Sequence, residues 1–153
     1  MAVSTAAGTT VGIVAGPPTT FDALGYGALT FVLIGEITDA GSHGKTFAEV
    51  THNPIGTRGT QKFKGSFNLG TKSIQLALDD DDAGQTLAKA ALESDEDYYF
   101  QVTYPDGSSD NFPAKVMAFT KSVSSVDTVI TGALELSLTT DKAGVGIIEI
   151  PAV

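Results

Sequence analysis

"DYYFQVTYPDGSSDNFPAKVMAFTKSV", Asp97 to Val123, decides the fold. Asp97 to Tyr104 is rich in aromatic residues, a composition that fits a pleated strand. Pro105, Asp106 and Gly107 follow as a strong turn signal: proline presets the first bend and glycine accepts positive φ. "NFPAKVMAFTKSV" returns as the partner strand, with Pro113 near its start, where a lost N–H matters least. Strands joined by so short a turn pair antiparallel, because parallel neighbours need a crossover of a dozen or more residues.

Upstream, "DDDDAGQTLAKAALES" (Asp79 to Ser94) reads as the one credible helix. Its acidic start opposes the positive helix end, and Leu87, Ala88, Ala91 and Leu92 form a narrow apolar stripe. "KSIQLALD" (Lys72 to Asp79) reads as a short strand after a Gly70-Thr71 turn. In "QKFKGSFNL" (Gln61 to Leu69), Phe63, Gly65, Phe67 and Leu69 share one face and Lys62, Lys64, Ser66 and Asn68 the other. Both strands are expected to be half-buried in an antiparallel sheet. "LTFVLIGEIT" (Leu29 to Thr38) is expected as the first strand, followed by a long Gly-containing loop from Asp39 to about Thr60. A loop of that length is rare in a compact domain unless it has a job. Val126 to Leu138 reads as the last long strand.

The expected fold is therefore mainly β: an antiparallel sandwich or barrel, one short helix covering an end, a long inter-strand loop and extended terminal arms. Residues 1–20 and 139–153 are read as arms, and 21–138 as the body. The arm residues of interest are Thr9, Val11, Ile13 and Val14 at one end and Ile147, Ile148 and Ile150 at the other.

The formal net charge is −9, from 9 Lys plus Arg against 18 Asp plus Glu. Such a surface repels phosphate backbones and anionic lipid, so gripping nucleic acid is not expected. The absence of Cys removes disulfides and thiolate metal sites. No apolar run is long enough to span a bilayer, and "MAVSTAAGTT" lacks the features of a secretory signal. The expectation is a soluble chain made in the cytoplasm, with no membrane partner.

Several stretches invite a chemical reading. "DAGSHGKT" (Asp39 to Thr46) ends like a phosphate-binding loop, and "LALDD" (Leu76 to Asp80) imitates a magnesium-binding strand end. The first glycine of that pattern is replaced by Asp39, and Asn53-Pro54 leaves little room for the helix the loop should open. Asp79 to Asp82 lack the alternating spacing of a calcium loop. His43, His52 and Glu49 lie in the long loop without helical or strand spacing to align them on a metal. Tyr98, Tyr99, Phe100 and Tyr104 are bordered by Asp95, Glu96, Asp97 and Asp106, which favours packing over base stacking. No enzyme and no cofactor is expected.

The run from "GTRGTQKFKGSFNLGTKSIQLALDDDD" through "YYFQVTYPDG" to "NFPAKVMAFTKSV" resembles the core of major tail tube proteins of long, flexible-tailed bacteriophages, over about residues 31 to 138. The resemblance implies a structural β-sandwich subunit in the virion tail. It implies homo-oligomeric hexameric rings stacked into a hollow conduit through which double-stranded DNA passes. Tape measure, tail terminator and tail tip proteins would be its partners. The long loop, with Asp39, His43, Lys45, Glu49, His52 and Arg58 as polar contacts, would reach the adjacent ring together with both arms. Asp127, Thr131, Glu135 and Ser137 on the last strand, and Lys62 and Lys64, are the candidate lumen-facing residues. The alternatives are an inner-tube protein of a contractile tail or type VI secretion system, and a monomeric β-sandwich binding module.

Overall fold

The computed structural model describes residues 2–153; Met1, the first residue of the expected N-terminal arm, lies outside the described residues. Ten strands and two helices follow in order: β1 (Thr10–Val14), α1 (Ala23–Gly27), β2 (Val32–Ile34), β3 (Ile37–Asp39), β4 (Thr46–His52), β5 (Gln61–Asn68), β6 (Thr71–Ala77), α2 (Ala83–Leu92), β7 (Tyr98–Thr103), β8 (Ser109–Ser122), β9 (Thr131–Leu138) and β10 (Ile148–Ile150). The fold is mainly β and antiparallel, as expected. The main sheet runs β2-β1-β7-β8-β9-β6-β3, with β10 also paired to β8. Strands β4 and β5 form a separate two-stranded sheet.

The order of the main sheet forces it to curl. β2 and β3 are its two edges, yet only Gly35 and Glu36 separate them in sequence. Seven flat strands would hold their edges about 29 Å apart, at about 4.8 Å per step. The chain from Ile34 to Ile37 reaches about 11 Å at most. The edges therefore converge on this corner, without the hydrogen-bonded ladder that would close a barrel. Glu36 turns the corner at φ 60, a left-handed conformation uncommon for a residue with a Cβ.

The expected strand Leu29 to Thr38 is thus two short strands serving opposite edges. The corner is fixed by the start of α2. Asp82 caps the helix by accepting from Gln85 N–H (2.9 Å) and also accepts from Gly35 N–H (3.0 Å). The fully buried Gln85 amide donates to Gly35 C=O (3.1 Å) and Ala77 C=O (2.9 Å), and its oxygen accepts from Asp79 N–H (3.0 Å). Ala88 and Ala91 carry the apolar stripe of α2 into the core, with Leu87 and Leu92 packed at its margin.

The remaining differences also have physical causes. Residues 10–14, expected as part of an arm, form a central strand paired with both β2 and β7. Val11 and Ile13 alternate into the core and are buried. At the other end, β10 pairs with β8, and Ile147 packs against the core. A second, five-residue helix, α1, is capped by Asp22 and brings Tyr26 against Tyr99 and Phe21. β5 and β6 do not pair with each other; Gly70, at φ 73, turns the chain from one sheet to the other. The aromatic hairpin β7–β8 stands as read, with Phe100 stacked on Phe112 at 5.9 Å.

Candidate functional site

Within the expected loop Asp39 to Thr60, residues 46–52 are strand β4, hydrogen-bonded to β5 as a hairpin. The register shifts between Phe47 and Glu49: their partners Phe67 and Lys64 are three residues apart, so the extra residue of the bulge is in β5, and Phe63 and Phe67 point to opposite faces. Phe47 then lies opposite Phe67 on one face, and Val50 opposite Phe63 on the other, beside Ala48 and Gly65. Glu49 opposite Lys64, and Thr51 opposite Lys62, continue the Phe47 face. Phe47 and Val50 fall on opposite faces of β4, so the sequence carries no apolar alternation there.

Neither face has much to cover it. Phe47, Val50 and Phe63 are 42%, 50% and 55% exposed, respectively. β5 is therefore not the half-buried strand its alternation implied. Phe67 alone of the four packs against the main core, meeting Phe47 edge-on at 5.7 Å. Cations lie over the rings: Lys45 Nζ is 4.4 Å from the Phe67 centroid, and Lys64 Nζ 5.0 Å from that of Phe47.

The base of the hairpin, in contrast, is fastened. Gly41, at φ 71, presses on β6 so closely that a Cβ there would lie 2.0 Å from Ser73 C=O. His43 packs over Phe112 with ring centroids 5.5 Å apart. Lys72 Nζ donates to His43 Nδ1 (3.1 Å), so the ring proton sits on Nε2 and is donated to Asp110 (2.6 Å). Tyr104 hydroxyl donates to the same Asp110 oxygen at 2.5 Å. Lys72 is 1% exposed, and burial pushes its ammonium down to about 8. Burial, reinforced by Asp110, raises the Tyr104 phenol. The group borders a cavity of about 640 Å³, lined in part by Thr5, Thr9, Ser42, Lys45 and Lys72.

The candidate loop residues divide between base and blade. Asp39 ends β3 and accepts from Gly41 N–H, and His43 joins the buried network. Glu49 and His52 lie on β4, Lys45 just before it, and Arg58 in the connection at the tip. Among the described residues, no three His, Cys, Asp or Glu side chains converge as a metal site. The phosphate-loop mimic runs into a strand, not a helix.

The candidate lumen residues fall in three places. Thr131, Glu135 and Ser137 share the outer face of β9, beside Ala77, Ser73 and Thr71 on β6 and Lys115 on β8. Asp127 precedes β9, in the connection from β8. Lys62 and Lys64 belong to the hairpin, where Lys62 Nζ lies 3.8 Å from Glu49. Buried Lys72 and Gln85 escaped the sequence reading, since each sits in an alternation or a helix that marks nothing unusual.

A family model described as lambda phage tail tube protein (TTP) matches residues 30–143. The chain belongs to that family. It is a structural protein of the phage tail, not an enzyme. No curated protein matches it in sequence. Solved structures share its fold at low identity. A chain from the anti-feeding prophage baseplate, solved with six-fold symmetrisation, has a TM-score of 0.68 at 10% identity, covering 98% of this chain and 95% of that one. A chain from the PVC sheath/tube terminator of an extracellular contractile injection system has 0.63 at 7% identity, covering 99% of each. One from the PVC sheath-tube complex has 0.57 at 9%, covering 95% and 88%.

Proposed function

We propose that this tail tube protein assembles into hexameric rings that stack into a hollow conduit for double-stranded DNA. The observation that carries the reading is the β4–β5 hairpin. An isolated two-stranded hairpin is marginal in water, and this one keeps an apolar face open. A family that builds tubes gives that face an occupant, another copy of the chain. A head-to-tail contact that closes makes a ring, and one that does not close makes a filament.

In this reading, the hairpin with Lys45, Glu49, His52 and Arg58 reaches the adjacent ring, and His43 and Asp39 hold its base. Thr131, Glu135 and Ser137 face the bore, with Asp127 at its edge. Lys115, which the sheet brings to this face, is paired with Asp97, so the lining offers few of the counterion-releasing contacts that hold DNA in place. Tape measure, terminator and tip proteins complete the tail. Residues 2–9 and 139–145, flanking the segments that tie each end to the body, are the parts of the arms left to contact neighbours.

Negative-stain microscopy of the concentrated full chain tests this. Six-fold rings or tubes are expected; a monomer under every assembly condition, missing from purified tails, would refute it and leave a monomeric binding module. The contractile injection system folds favour a second reading, an inner tube inside a sheath. Purified particles that carry a contractile sheath would decide for it.

A further inference from the structure

Charge is divided unevenly along this chain. Residues 45–68 hold Lys45, Arg58, Lys62 and Lys64 against the single carboxylate of Glu49, a local charge of +3. The whole chain carries −9, so the remainder carries −12. The basic segment is the hairpin itself, and its cations do not fold back on the acidic body. Among the described residues, Lys62 meets Glu49 on the same hairpin, while Lys45, Lys64 and Arg58 have no carboxylate within 4.0 Å.

We propose that the hairpin, basic on one face and apolar on the other, docks on the acidic body of a second copy, and that this attraction makes assembly salt-sensitive. The inference rests on the tube reading and adds the chemistry of its contact. Lys45, Lys62 and Lys64 lie on the Phe47 face and the exposed Val50 and Phe63 on the reverse of the same two strands, so a partner that takes up the hairpin must satisfy both. The body of an identical chain supplies the opposite charge at the same concentration. Complementary fields steer encounter and suppress wrong registers, and like-charged bodies repel one another everywhere except through the hairpin. Basic and aromatic residues together also fit a nucleic acid, but every copy brings a whole-chain charge of −9, with −12 outside the hairpin, that opposes it.

The test measures the critical concentration for assembly of the full chain as ionic strength is raised, alongside Lys62→Glu/Lys64→Glu, which takes the hairpin from +3 to −1. Lys62→Arg/Lys64→Arg serves as the charge-preserving control. Screening shortens the Debye length from about 14 Å at 0.05 M to about 4 Å at 0.5 M, so the wild-type critical concentration is expected to rise about tenfold or more. The reversed variant is expected to stay monomeric where wild type assembles, with an unchanged melting temperature, and the arginine control to assemble. Wild-type tubes indifferent to salt, or reversed variants that assemble normally, overturn this inference and leave the tube reading standing. A wild type that assembles under no condition overturns both. Retention of a labelled DNA duplex by wild type and not by the reversed variant overturns the choice of a second copy as partner.

Discussion

Phe63→Ser isolates the apolar part of the proposed contact without altering the hairpin's charge. Phe63, Phe47 and Val50 are each about half exposed. Fully burying such a side chain is worth about 1.5–3 kcal/mol, so covering the open half of each contributes about 1 kcal/mol, or about 3 kcal/mol per copy. Removing Phe63 forfeits about 1 kcal/mol, and the serine hydroxyl desolvated in its place costs about another 1 kcal/mol. A loss of about 2 kcal/mol weakens the contact about 30-fold, and the critical concentration should rise by the same factor. The isolated chain should hardly notice. Phe63 faces Val50 across the hairpin and lies outside the main core, so its own folding should change by less than about 1 kcal/mol. Sedimentation gives the critical concentration, and urea unfolding below it gives monomer stability. An unchanged critical concentration would refute the assignment of this face to assembly. A monomer destabilised by several kcal/mol would show that the hairpin belongs to the folding core instead.

Gln85→Ala should destabilise the monomer by about 3–5 kcal/mol in urea unfolding, since it strips partners from three backbone groups at the corner. Gly84→Ala should cost about 2–3 kcal/mol by the same measurement, because its Cβ would lie 2.2 Å from Leu33 C=O and push α2 off β2. Lys72 sets a pH dependence. Its folded ammonium loses its proton at about 8, below the ordinary 10.5, so between those values the unfolded chain binds more protons. Stability should rise with pH across that window, by up to about 3 kcal/mol, and the rise should be missing in Lys72→Met. Equal slopes in the two proteins would contradict the buried position of the charge.

What the sequence made legible was set by local signals that agreed with tertiary context. The β7–β8 hairpin carries its own turn, and α2 its own cap and apolar stripe, so both stand where read. The misread elements depend on information that alternation does not contain. Phe47 and Val50 on opposite faces hid β4, and Gly35-Glu36 hid a change of sheet edge inside one apolar run. β1 was hidden by brevity and by flanking Gly and Pro, since two inward residues, Val11 and Ile13, are a faint pattern. The polar network on Lys72 was invisible because it unites β6, β8, the β7–β8 turn and the β3–β4 loop.

The contrast between base and blade gives the hairpin its mechanical sense. At the base, Gly41 is wedged against β6, and His43 is held between Lys72, Asp110 and Phe112. Those contacts fix the direction in which the chain leaves the body. Beyond Thr46, cross-strand pairs and cations over aromatic rings are what hold the blade, each worth about 1 kcal/mol or less. Such a segment opens locally at far lower cost than the sheet that carries it. A docking element aimed by a rigid root yet soft along its length accepts small differences in how neighbouring copies are set. If the root does the aiming, His43→Ala should leave the blade's surface chemistry intact and still impair assembly. Tubes of His43→Ala with wild-type critical concentration would show that the network holds the body together and directs nothing.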